Sequence, residues 1–266
     1  MLQQAIDFRD ESEALFQLLA PLGDDDFERA TQFKGWTLND VLGHLHMWNW
    51  AADLALTDED RFMDFVEQVM SDIQAGTLRG FEAKWREGLV GAGLRDAWRE
   101  FFVPMSARFA DADPKRRVKW AGPNMSVLSS ITARLMETWA HGQEVYDTLG
   151  VERENADRIK NIAVLGVNTF GWTYKNRGWD LPEAAPFVKL TAPSGEVWEW
   201  NDPANADRVE GPAEQFCQVV TQTRNLADTQ LEVTGDVAAR WMSVAQCFAG
   251  PPEDPPAPGA RHRVAA

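Results

Sequence analysis

Thr37-Leu38-Asn39-Asp40-Val41-Leu42-Gly43-His44-Leu45-His46-Met47-Trp48 is the stretch on which the reading of this chain turns. Thr37 followed three residues later by Asp40 is a variant of the capping box, in which a hydroxyl and a carboxylate satisfy the first free amides of a helix. Leu38, Val41, Leu42 and Leu45 then recur at helical spacing, so an amphipathic α-helix with two histidines is expected. Residues two apart on a helix are rotated by about 200°, so His44 and His46 point to nearly opposite faces and cannot both serve one ion. His44 shares its stripe with Val41 and Trp48, which should look into a bundle, whereas His46 sides with Leu42, Asn49 and Trp50. Periodicity therefore favours His44.

The same period extends outward in both directions. Phe8, Leu15, Leu19 and Leu22 form one stripe upstream. The breakers Pro21-Leu22-Gly23, Gly91-Ala92-Gly93, Pro114 and Gly122-Pro123-Asn124 divide the chain up to about residue 178 into about five to six helices, four of them long. Ser126 is placed to cap a helix that carries Ile131, Leu135, Met136 and Trp139. Beyond Trp179-Asp180-Leu181-Pro182 the pattern changes: Phe187–Thr191 and Glu196–Trp200 flank Ala192-Pro193-Ser194-Gly195 as a β-hairpin would. Pro212 should open a helix reaching about Arg224, Leu231–Thr234 reads as a short strand, and Asp236 should cap a last helix through about Phe248. The expected class is α+β, mainly α. A four-helix bundle is expected over residues 1–180, a small α+β domain over 181–250, and a proline-rich, extended or disordered tail over 251–266.

Composition narrows the partners. The chain carries 26 Lys+Arg against 41 Asp+Glu, net −15, and so acidic a surface repels phosphate backbones and anionic headgroups; neither nucleic acid nor membrane is an expected partner. No stretch approaches the roughly 20 apolar residues that span a bilayer, and the start, MLQQAIDFRDESEALF, is acidic where a signal peptide would be basic and then apolar. A cytoplasmic location is expected. Cys217 and Cys247 lie outside any C-x-x-C pairing and read as reduced structural thiols. The 12 tryptophans imply a bulky core or a roomy pocket wall.

Of the four histidines, His262 lies in the tail, and His141 stands one turn after Glu137 in Glu137-Thr138-Trp139-Ala140-His141. The i, i+4 spacing stacks this carboxylate and imidazole on one helix face, where both can reach a single metal. Two imidazoles and one carboxylate suit zinc, nickel or iron(II) and leave coordination positions open for water or a substrate atom. The plainer alternative is a hydrogen bond on a helix surface beside a satisfied core histidine. Asp40, one turn before His44, and Glu144, on the face of Glu137 and His141, are candidates to orient an imidazole, or else solvated helix charges.

Trp36-Thr37-Leu38-Asn39-Asp40-Val41-Leu42-Gly43-His44-Leu45, followed far downstream by Glu137-Thr138-Trp139-Ala140-His141, resembles the DinB-like metal-binding bundles, and most closely the metal-binding domain family of mycothiol-dependent maleylpyruvate isomerase. The resemblance covers about residues 5–178. The stretch Leu190–Trp200 and that from Arg224 to Gly235 are similar to the same family's small C-terminal domain, and the chain looks nearest to an uncharacterised actinobacterial branch. The resemblance implies a divalent metal, zinc foremost, on His44, Glu137 and His141. It also implies mycothiol or another low-molecular-weight thiol as cofactor, a small electrophilic substrate, and isomerase or S-transferase chemistry. Arg224 resembles the arginine that the isomerase places over its active site, although a cation near a helix C-terminus is also favoured by the macrodipole alone. DinB-like bundles often pair through helix faces, so a homodimer is compatible. The alternative is a non-catalytic metal-binding or small-ligand-binding bundle.

Overall fold

The computed structural model describes residues 1–265. The helices that begin at Leu38, Glu59 and Val127 start where the sequence offers side-chain caps. The first helix of the chain, α1 (Gln3–Leu19), leads through a 3-10 turn at Asp24–Glu28 to α2 (Leu38–Thr57). At the start of α2 the Asp40 amide donates to Thr37 Oγ1 at 3.2 Å and the Thr37 amide donates to Asp40 Oδ2 at 3.0 Å, so both halves of the capping box form. Then come α3 (Glu59–Ala75) and α4 (Leu78–Trp85). Between them Gly76 takes a left-handed φ of 71°, and the Thr77 amide reaches back to the Asp72 carbonyl at 2.9 Å, a C-terminal motif that glycine permits without a Cβ clash. The long α5 (Gly91–Asp111) is followed by a two-residue ladder, β1 (Arg117–Val118) with β2 (Met125–Ser126), and by α6 (Val127–Leu149). Ser126 Oγ accepts the Ser129 amide at 3.1 Å, the expected cap of α6.

The long helices α1, α2, α5 and α6 make the bundle, with α2 at its centre. Leu38, Val41, Leu42, Leu45, Met47, Trp48, Ala51 and Ala52 are all buried, so α2 is enclosed on most of its circumference. The core continues through Phe8, Leu15 and Leu19 of α1, Trp98, Phe102 and Phe109 of α5, and Ile131, Leu135 and Trp139 of α6.

The chain divides into two compact units at Thr148/Leu149, ahead of the change of periodicity near residue 180. Two further helices, α7 (Lys160–Asn168) and α8 (Phe170–Asn176), belong to the second unit, together with β3 (Phe187–Thr191), β4 (Val197–Trp200), β5 (Arg208–Pro212), α9 (Ala213–Val220), β6 (Glu232–Thr234) and α10 (Asp236–Met242). The reason is packing. A Cβ added at Gly166 of α7 would sit 2.9 Å from both Phe216 and Val220 of α9, so that glycine lets the two helices approach closely. Phe170 of α8 meets Trp241 of α10 edge-on at 5.3 Å.

The strand order is β4-β3-β5-β6, with β3 and β5 parallel and the other pairs antiparallel. The expected hairpin is β3–β4; β5 was not anticipated from the sequence. α9 stops at Val220 instead of reaching Arg224, because Gln222 turns into the left-handed region at φ 57°. α10 ends at Met242 instead of near Phe248, and its first amides are satisfied not by Asp236 but by Asp207 Oδ1, which accepts from Val237 and Ala238 at 2.8 and 3.1 Å. The tail from Pro251 to Ala265 has no helix or strand, as its prolines require. It is nevertheless anchored: the Glu253 amide donates to Gln246 Oε1, Gln222 Nε2 donates to the Glu253 carbonyl, and Asn225 Nδ2 donates to the Pro256 carbonyl. Among the described residues no helix is long and apolar enough to cross a membrane.

Candidate metal centre

The second turn of α2 and the middle of α6 bring His44, Glu137 and His141 together. His141 Nε2 lies 3.3 Å from Glu137 Oε2, and His44 Nε2 lies 3.6 Å from the same oxygen. One ligand atom from each residue falls within 4.8 Å of those of the other two. The i, i+4 pair is thus on one face of α6, and the imidazole supplied by α2 is His44, as the periodicity indicated. Both imidazoles are 12% exposed and Glu137 is 24% exposed, so the group is sheltered without being sealed.

Aromatic rings wall the group. Trp36 stacks on the His141 ring, 5.6 Å between centroids and 4° from parallel, and Phe33 meets that ring edge-on at 5.3 Å. Both come from the loop ahead of α2, where Lys34 and Gly35 adopt successive left-handed φ values of 53° and 66°. His44 lies 5.4 Å from Trp36 and 6.3 Å from Trp48.

A residue that sequence reasoning missed completes the surroundings. His44 Nδ1 donates to Glu82 Oε1 at 2.7 Å, and Trp48 Nε1 donates to the same oxygen at 3.1 Å. Glu82 sits on α4, in a stretch with no motif to mark it. Asp40, expected as an orienter of His44, is instead committed to the Thr37 amide and to ion pairs with Arg79 and Arg86. Glu144 is buried two turns along α6 from Glu137, its carbonyl accepting from Thr148 Oγ1. Arg134, also on α6, is buried, with Nε donating to Asn49 Oδ1 at 3.2 Å. Arg224 belongs to the C-terminal unit, where it follows α9 and donates from Nη1 to the Thr223 carbonyl.

The electrostatics favour positive charge at this place. Burial works against an imidazolium at His44, yet the Glu82 and Glu137 carboxylates outweigh it and push His44 up to about 9. Burial likewise works against an ionised Glu137, yet bonds from His141 and His44 hold its carboxyl well below the usual carboxylate range. His141 is pushed down, by burial first and by the neighbouring His44 charge. Protonated His44 and the buried Arg134 guanidinium both place positive charge near the two carboxylates. A divalent cation supplies the same sign of charge more strongly, and two imidazole nitrogens with one carboxylate oxygen are a donor set that zinc, nickel or iron(II) accepts.

His46 provides the contrast. It lies on the opposite face of α2, between Trp85 at 5.4 Å and Phe101 at 5.7 Å, and its Nδ1 is buried without a hydrogen-bond partner. Burial alone pushes it down to about 4, so it is neutral at pH 7. The two cysteines are buried and form no disulfide, and burial raises the Cys217 thiol well above its ordinary range, which fits structural thiols.

Over 247 residues the chain is 38% identical to uncharacterized proteins of two Mycobacterium tuberculosis strains, CDC 1551 / Oshkosh and ATCC 25618 / H37Rv, with 92% of this chain and 95% of those proteins covered. Its fold is similar to the crystal structure of the mycothiol-dependent maleylpyruvate isomerase, with a TM-score of 0.53 at 14% identity over 82% of this chain and 87% of that one. A histidine-to-alanine mutant of that isomerase matches with a TM-score of 0.52 at 15% identity. Residues 8–146, which include His44, Glu137 and His141, match the family described as the mycothiol maleylpyruvate isomerase N-terminal domain, and the chain belongs to that family.

Proposed function

We propose that His44, Glu137 and His141 bind one divalent metal ion, zinc foremost, in a thiol-dependent isomerase or S-transferase that uses mycothiol or a similar small thiol on an electrophilic small molecule. The observation that carries this reading is the convergence of three ligand atoms, within 4.8 Å of one another, from two separate helices. A helix-surface hydrogen bond would need only Glu137 and His141; it gives no reason for a second, half-buried imidazole to face the same carboxylate oxygen.

When bound, the metal would act as a Lewis acid that converts a thiol, with an ordinary pKa near 8.5, to the nucleophilic thiolate at neutral pH. The chain's own residues do the rest. Glu137 contributes the negative charge of the ligand set, and the two imidazoles contribute neutral donors. Trp36 and Phe33 hold the His141 ring and restrict water around it. Family resemblance assigns Arg224 to an acidic group of the substrate.

Elemental analysis of protein purified without chelator, beside His44→Ala and Glu137→Ala variants, tests the ligand set. About one metal per chain in the wild type and loss in both variants is expected; equal content in all three would remove the site. Calorimetric titration of the metal-loaded protein with mycothiol tests the thiol reading, and absence of binding would reduce the protein to a metal-binding bundle. Arg224→Ala should leave metal and thiol binding intact and weaken only an acidic substrate.

A further inference from the structure

Helix α4 buries one side chain, and that side chain is a carboxylate. Glu82 is 3% exposed while the rest of α4 is half-buried or exposed. Taking a carboxylate out of water is costly unless hydrogen bonds or charges compensate, so a helix that docks on such a group is held by what the group touches. Oε1 accepts from both His44 Nδ1 and Trp48 Nε1, whereas the buried Oε2 has no hydrogen-bond partner. The two α2 residues stand four apart, one turn, and so present both donors to one oxygen.

An indole nitrogen only donates, and a carboxylate oxygen that accepts it leaves Nδ1 of His44 as the second donor. A proton held on Nδ1 leaves the lone pair of neutral His44 on Nε2, the atom that faces Glu137. We infer that Glu82 is a positioning residue: it fixes the tautomer and ring orientation of His44 for metal ligation, and through it α4 becomes part of the site. The inference rests on the metal reading of the preceding section and adds to it a carboxylate outside the ligand set. Asp40, the nearer carboxylate in sequence, is occupied by the cap of α2 and by Arg79 and Arg86, which leaves the role to Glu82.

The test measures zinc affinity by competition with a chromophoric chelator and the imidazole signals by ¹⁵N–¹H correlation spectra of the zinc-loaded full chain. Wild type should show His44 with a protonated, hydrogen-bonded Nδ1 and a metal-ligated Nε2. Glu82→Leu should weaken zinc binding by about ten- to a hundredfold, the usual cost of losing an outer partner of a metal-bound histidine, and should abolish the hydrogen-bonded Nδ1 signal. Glu82→Gln keeps an accepting oxygen without the charge and should restore the Nδ1 signal with an intermediate affinity. A folded Glu82→Leu variant with wild-type affinity and an unchanged Nδ1 signal would overturn the inference. Should the leucine variant not fold, a wild-type chain whose zinc-bound His44 shows no protonated, hydrogen-bonded Nδ1 would overturn it equally. Zinc binding that is indifferent to residue 82 rejects this inference alone; a wild-type chain that binds no zinc rejects the metal reading with it.

Discussion

The two faces of α2 carry the same side chain to opposite ends. His44 and His46 are two residues apart on one helix, yet the first is pushed up to about 9 and the second down to about 4. Burial disfavours the imidazolium at both. At His44 two carboxylates from other helices, Glu82 and Glu137, overcome it; at His46 the neighbours are Trp85 and Phe101, and nothing does. The difference shows that helical phase decides which way each ring points, while the elements packed on that side decide what the ring can do.

The largest expected effect breaks the charged face. Glu137→Gln should reduce bound zinc from about one equivalent per chain to below about a tenth, because an amide is a poor ligand for the ion. His46→Leu should leave the zinc content of the wild type unchanged, and loss of zinc there would end the asymmetry between the faces.

The apolar face has its own signature. His46 is depressed in the folded protein, so between about pH 6.5 and pH 4 the unfolded chain binds more protons and stability falls as the pH falls. His46→Leu removes this component. Lowering the pH from 7 to 5 should therefore destabilise the wild type by about 1–2 kcal/mol more than the leucine variant, measured by urea unfolding at each pH. Parallel pH dependence in the two proteins would contradict the neutral, buried assignment of His46.

Two smaller effects sharpen the picture of how α2 is held. Thr37→Ala removes the hydroxyl that accepts the Asp40 amide and should cost about 1 kcal/mol of stability while zinc stoichiometry is retained. Gly43→Ala is the smallest: the gain in helix propensity, about 1 kcal/mol, is opposed because the new Cβ would sit 2.5 Å from Arg86 Cδ. Arg86 also binds the Asn39 carbonyl and Asp40, so its retreat has a cost, and the net change in unfolding free energy should stay within about 0.5 kcal/mol.

Much of the bundle was legible because it rests on relations among near neighbours. The Thr37/Asp40 capping box, the Ser126 cap, the opposed phases of His44 and His46 and the shared face of Glu137 and His141 all follow from helix geometry over four or five residues. The pairing of α2 with α6 across the triad is another matter. There the spacing left a surface hydrogen bond as a full alternative, and family resemblance, not periodicity, joined His44 to the other two.

What the tertiary structure decided is what depends on segments remote in sequence. Glu82 lies 38 residues from His44, in a short helix whose pattern does not mark it as buried. Asp207 caps α10 from 30 residues upstream, so Asp236 looked like the cap when read locally. α7 and α8 have the same period as the bundle helices, and it is the close approach at Gly166 and the Phe170–Trp241 contact that show their apolar faces packing in the second unit. Helical phase is set by backbone geometry within a turn or two and can be read from the chain itself. Burial, partner identity and the resulting charge of a histidine are set by through-space contacts, which exist only once the helices have packed.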